Sequence, residues 1–126
     1  MTGAAATSVL LVEDDAMIRD AFTILLQESG YRVRAAATGG DALRLAADGE
    51  PDVVVLDMGL PDASGVDVAR ALLANAGGRR IPIVALTGRA LDEDRQAALS
   101  AGCSAYLVKP VAARELLGTI ETLSRS

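Results

Sequence analysis

Glu13, Asp14, Asp57, Thr87 and Lys109 are residue types suited to phosphate and metal chemistry, and they gather where hydrophobic runs stop. Val9-Val12 runs into Glu13-Asp14-Asp15, Val53-Leu56 into Asp57, Ile83-Leu86 into Thr87, and Tyr106-Val108 into Lys109. Neighbouring carboxylates repel one another until a hard divalent cation with a preference for oxygen ligands neutralises them, and magnesium is the expected one. A hydroxyl and a flexible ammonium are suited to the oxygens of a phosphoryl group. If the runs are parallel strands of one open sheet, their carboxyl ends share an edge, where ligands bind in open α/β folds. Five residues distant in sequence then meet in one small anionic pocket.

The segments between the runs must supply the helices of such a fold. Asp15-Glu28 places Ile18, Ala21, Phe22, Leu25 and Leu26 at helical spacing, with Asp15 as cap and Gly30 as stop. Arg32-Ala36 alternates charged and apolar residues, which suits an edge strand. Thr38 and Asp41 open a second helix through about Asp48, and Pro51 forces an extended approach to Val53. A third helix over roughly Val66-Asn75 carries Ala69, Leu72, Leu73 and Ala76 on one side and meets the Gly77-Gly78 breaker. The fourth, about Asp92-Ala101, has mostly alanine on its apolar side and should be the least firmly anchored. In the last, about Ala112-Leu123, Ala113, Leu116, Leu117, Ile120 and Leu123 should face inward. The order is (βα) five times, an α/β fold with three solid strands central.

Composition narrows the function. A chain of 126 residues with 51% hydrophobic content supports one domain, 1–126, with its core over about 8–124. A net charge of −5 offers no basic surface for phosphates, so direct nucleic-acid binding is disfavoured. There is no histidine, so imidazole chemistry must come from a partner. The single cysteine, Cys103, cannot form an internal disulfide, and no histidine is present to activate it. Met1-Val12 lacks a basic leader and is too short to span a bilayer, so a soluble cytoplasmic protein without membrane contact is expected.

Val9-Leu-Leu-Val-Glu-Asp-Asp15, Leu56-Asp-Met-Gly-Leu-Pro61 with Gly65, Ala85-Leu-Thr-Gly88 and Tyr106-Leu-Val-Lys-Pro110 together resemble the receiver domain of two-component response regulators. The resemblance covers nearly the whole chain. It implies a flavodoxin-like doubly wound sandwich with a parallel five-stranded sheet of order 2-1-3-4-5. It also implies that Asp57 is the phosphoacceptor and a ligand of Mg2+, that Asp14 binds the ion directly, that Glu13 acts through water and that Gly59 contributes its backbone carbonyl. Lys109 would contact the phosphoryl group, Pro110 resembles the family's cis proline with its isomer left open by the sequence, and Thr87 with Tyr106 would form a switch. That switch would reshape the face made by the fourth helix, fifth strand and fifth helix, where a downstream protein target binds. Gly59 and Arg89 occupy positions that in similar receivers influence hydrolysis of the acyl phosphate.

The phosphoryl donor implied is a sensor histidine kinase or a histidine phosphotransfer protein. The chain is then no enzyme beyond Mg2+-dependent self-phosphorylation and slow autodephosphorylation. Because the sequence stops soon after its last helix, no output domain is expected, and the start at Met1 favours a stand-alone receiver over a piece of a larger regulator or hybrid kinase. A haloacid-dehalogenase-type phosphatase would need a second aspartate two residues after Asp57, where Gly59 stands. A flavodoxin-type cofactor binder would need a hydroxyl- and glycine-rich loop where Glu13-Asp14-Asp15 stands, so no organic cofactor is expected. A degenerate receiver acting only as a binding module is the remaining alternative, although every key position is filled.

Overall fold

The computed structural model describes residues 6–77, 80–88 and 91–124. Strands and helices alternate: β1 Ser8–Val12, α1 Ala16–Glu28, β2 Arg32–Ala36, α2 Gly39–Asp48, β3 Val53–Asp57, α3 Gly65–Ala74, β4 Ile83–Thr87, α4 Asp92–Ser100, β5 Ala105–Val108 and α5 Ala113–Ser124. All strand pairs are parallel, and the sheet runs β2-β1-β3-β4-β5. This is the flavodoxin-like order implied by the resemblance.

The solid apolar strands form because the sheet is covered on both faces, so the apolar residues of a central strand are buried whichever way they point. Alternation along each strand then divides the core in two. Leu10, Val12, Val54, Leu56, Ile83 and Ala85 pack with Ala42 of α2, Val68, Ala69 and Leu72 of α3 and Ala98 of α4. Val9, Leu11, Val53, Val55, Val84 and Leu86 pack with Leu26 of α1 and with Leu116 and Ile120 of α5. Three helices therefore cover one face and two the other.

The helix boundaries follow local chemistry. Asp15 caps α1 by accepting from the Ile18 amide at 3.1 Å, and Gly30 turns the chain away at φ +97°. Thr38 caps α2 by accepting from the Asp41 amide at 3.1 Å, and Ser64 caps α3 from the Val66 amide at 3.2 Å. The amino end of α4 has no side-chain cap, and Ala98 is the one fully buried residue of that helix, in line with its alanine-rich apolar side. Two inward assignments are corrected. Ala21 and Ala113 are exposed, because α1 rests on the sheet through Leu26 and Phe22 and α5 through Leu116 and Ile120, whose longer side chains reach the sheet where alanine does not. Gly78 of the expected breaker lies outside the described residues; Gly77 holds a turn at φ +61°.

No helix among the described residues is long and apolar enough to cross a membrane. Cys103 is buried, and burial pushes its thiol up to about 11, which leaves it uncharged at neutral pH.

Candidate functional site

Parallel pairing brings the four strand ends to one edge in register. Val12 stands beside Leu56, Asp57 beside Leu86, and Thr87 beside Val108. The chain just past each strand is then tied to its neighbour through the backbone. The Glu13 amide donates to Ala36 O at 2.9 Å, the Met58 amide to Leu86 O at 2.9 Å, and the Lys109 amide to Thr87 O at 2.6 Å. The functional side chains thus issue from a backbone fixed by the sheet itself.

All five residues expected at the site line one open cleft of about 610 Å³, together with Gly59 and Tyr106. Glu13, Asp57 and Thr87 are buried polar groups, whereas Asp14 faces solvent. Asp57 is held by both oxygens: Oδ1 accepts from the Gly59 amide at 2.9 Å, and Oδ2 lies 3.1 Å from Lys109 Nζ. Lys109 also approaches Glu13 Oε1 at 3.4 Å, so its two close carboxylates are Asp57 and Glu13. Glu13 Oε2 accepts from the Asp15 amide at 3.1 Å. The Lys109-Pro110 bond, whose isomer the sequence left open, is cis. Arg89 lies outside the described residues.

The three charged groups share one electrostatic problem. Burial favours the neutral form of Asp57, but the Gly59 amide, Lys109 and Glu13 outweigh it and hold the carboxyl below its ordinary value. Glu13 goes the other way: burial, aided by the neighbouring Asp57 and opposed by the Asp15 amide and Lys109, raises it. Lys109 is raised because its two carboxylate partners overcome the burial that disfavours its charge.

These residues fit a divalent cation. Glu13, Asp14 and Asp57 offer carboxylate oxygens within 4.8 Å of one another, and the buried Glu13 Oε1 has only the 3.4 Å approach of Lys109. Hard oxygen donors on an open edge are what magnesium binds while retaining water.

Two residues that hold the site were not found by sequence reasoning. Arg19 of α1 reaches back to the acidic turn, donating from one guanidinium nitrogen to Glu13 O at 3.0 Å and Asp14 O at 3.3 Å. Its place one turn into a helix that starts beside the acids was the available signal. Asp62, in the loop after β3, accepts from the Gly39 amide at 2.9 Å and the Gly40 amide at 3.1 Å, capping α2 from across the fold. No local pattern announces a cap supplied from 23 residues away.

Those two amides, Gly39 first and then Gly40, lower the Asp62 carboxyl below its ordinary range. A depressed folded-state value gives stability that is fully present above the unfolded value and lost as pH falls through the folded one. Asp62→Ala should therefore be less stable than the wild type at neutral pH, with the margin closing as acid protonates the wild-type carboxylate. Urea melts at pH 7, 5 and 3 would show this; a margin independent of pH would contradict it.

Comparison with known proteins shows the family. The sequence model of the response regulator receiver domain matches residues 9–121, and the chain belongs to that family, the receiver modules of two-component systems. It is 41% identical over 119 residues to the transcriptional regulatory protein KdpE of Mycobacterium tuberculosis, covering 94% of this chain and 51% of KdpE. It is 34% identical over 115 residues to the polar-differentiation response regulator DivK of Brucella ovis, covering 91% of this chain and 94% of DivK. The chain thus spans about half the length of KdpE and nearly all of DivK. Among solved structures, Vibrio cholerae chemotaxis protein CheY4 matches with TM-score 0.90 at 32% identity, over 94% of this chain and 99% of CheY4. The receiver domain of sensor histidine kinase PA1611 from Pseudomonas aeruginosa, which has a magnesium ion coordinated in its active-site cleft, matches with TM-score 0.87 at 37% identity, over 97% of this chain and all 100% of that one. Receiver domains are typically signalling modules and not enzymes; they bind Mg2+ at an acidic pocket and interact with histidine kinases and downstream targets.

Proposed function

We propose that this receiver accepts a phosphoryl group on Asp57 from a phosphohistidine of a sensor histidine kinase or histidine phosphotransfer protein, and signals to a protein target through its α4-β5-α5 face. The observation that carries the reading is Asp57 itself: a buried carboxylate oriented by the Gly59 amide and Lys109, at the mouth of an acidic pocket. A carboxylate oxygen of Asp57 attacks phosphorus and the phosphorus–nitrogen bond to the partner's imidazole breaks; with the other ring nitrogen protonated, the departing nitrogen keeps the electron pair and neutral imidazole leaves, while the acyl phosphate stays on Asp57. The absence of histidine from this chain is consistent with a donor imidazole supplied by the partner.

Glu13, Asp14, Asp57 and the Gly59 carbonyl would hold Mg2+, with Asp14, the exposed member, in direct contact and Glu13 acting through water. When bound, magnesium supplies positive charge that offsets the phosphoryl oxygens during transfer. Lys109, already paired with Asp57, transfers its ammonium to a phosphoryl oxygen as a point charge. The Thr87 hydroxyl donates to another, and Tyr106, which lines the same cleft and packs against the α2–α4 side of the core, follows the space that Thr87 vacates. The light anchoring of α4 supports this face as the element that responds. Phosphorylation brings nearly two negative charges and three acceptors, enough to recruit both donors.

Incubation with Mg2+ and acetyl phosphate, followed by intact-mass analysis, tests the reading. The expected result is a hydroxylamine-labile gain of one phosphoryl group that is absent from Asp57→Asn and Asp57→Ala. No gain in the wild type, or an undiminished gain in both variants, would refute it.

A further inference from the structure

We propose that Arg19 is a positioning residue for cation binding: it pins the backbone of the turn that carries Glu13 and Asp14, so that their carboxylates are presented to Mg2+. The inference rests on the function proposed above and adds to it a residue outside the acidic pocket. Its basis is the way the turn is held. The Glu13 amide is tied to Ala36 O at the end of β2, and the Asp15 amide to Glu13 Oε2. The carbonyls of Glu13 and Asp14 both accept from Arg19 Nη1, at 3.0 and 3.3 Å. One planar, partly buried guanidinium thus fixes two successive peptide groups. Two fixed peptides set the directions of the two side chains, one buried and one exposed, both lining the cleft.

Charge alone predicts the opposite of positioning, and this makes the inference decisive to test. A guanidinium bonded to the backbone of two cation ligands repels a divalent ion, so by Coulomb's law its removal should tighten Mg2+ binding. If the hydrogen bonds to the turn matter more, removal should weaken binding despite the more favourable charge. Outer partners of metal ligands commonly change affinity by roughly 10–100-fold. Arg19 acts on ligand backbones, so a loss of about tenfold, at the low end of that range, is expected in Arg19→Met. Arg19→Lys keeps the charge with fewer and less rigid donors and should fall between the two.

Arg34 provides the control for a merely structural effect. Its guanidinium also donates to backbone carbonyls, Leu45 O at 2.6 Å and Gly49 O, but at the carboxyl end of α2. Arg34→Met should lose stability and leave the Mg2+ affinity unchanged. The experiment is titration of each protein with MgCl2, followed by the amide resonances of Glu13, Asp14 and Gly59, with urea melts in parallel.

Weaker binding in Arg19→Met, partial recovery in Arg19→Lys and wild-type affinity in Arg34→Met are the expected results. Equal or tighter binding in Arg19→Met overturns the inference, as does an equal loss in Arg34→Met. If Arg19→Met does not fold, Arg19→Lys decides: affinity at the wild-type level overturns the inference. A wild type that binds Mg2+ and takes phosphate while Arg19→Met matches it defeats only this inference. A wild type that binds no Mg2+ defeats the proposed function and this inference together.

Discussion

Replacing Lys109 with methionine should destabilise the protein by about 2–4 kcal/mol at neutral pH, somewhat less than the roughly 3–5 kcal/mol typical when one member of a fully buried ion pair is lost. Lys109 lies 3.1 Å from Asp57 and 3.4 Å from Glu13, whose side chains are 5% and 1% exposed while its own is 27% exposed. The variant would leave two buried carboxylates facing each other with no cation. Both would then titrate above their unfolded values, so the cost must shrink as pH falls and they take up protons. In the wild type Lys109 acts with the same sign in a different pH window. The Lys109 ammonium is raised, so its contribution is complete below the unfolded lysine value and is lost only as alkaline pH passes the folded one. Urea denaturation of both proteins across pH 4 to 8, with and without MgCl2, reads the effect. Added Mg2+ should recover part of the deficit in the variant, because it supplies the missing positive charge; a deficit insensitive to both pH and Mg2+ would mean that Lys109 contributes packing and little charge.

Gly65→Val should damage site and fold together. A Cβ at Gly65 would stand 2.6 Å from Met58 Cα and 2.7 Å from Met58 Sδ, and the first of these is backbone that cannot swing aside. Met58 lies between Asp57 and Gly59, so the displacement passes to the amide that orients the Asp57 carboxylate. Overpacking of this kind costs about 1–3 kcal/mol. A shift near 1 Å in a reacting group can cost on the order of 100-fold in rate, and that is the loss expected in phosphorylation by acetyl phosphate. Gly118→Ala is the matched control. Its Cβ meets nothing within 4 Å, and in the middle of α5 the change should add about 0.5–1 kcal/mol of stability without altering the rate. A Gly65→Val protein that is phosphorylated at the wild-type rate would show that the loop after β3 tolerates displacement.

What the sequence made legible follows from which interactions involve side chains. The central strands were readable because a sheet covered on both faces demands apolar residues without alternation, and β2 because an edge does not. The strand-end residues were readable for the same reason, since a carboxylate, a hydroxyl or an ammonium interrupts an apolar run. Periodicity does not determine strand order, which came from resemblance to the family. Ala21 and Ala113 were misplaced because spacing marks the axis of a helical face and not its width, and alanine at the margin of that face stays exposed. Arg19 and Asp62 were missed because their partners are backbone groups, which are the same at every position and leave no mark in the sequence.

Because every strand runs the same way, the rim opposite the cleft is built from the turns that follow the helices, such as Ser29-Gly30. Fluorophores, surface tethers or affinity handles grafted there would sit a full strand length from Asp57. That end of the molecule is the natural place to attach a reporter and leave the chemistry undisturbed.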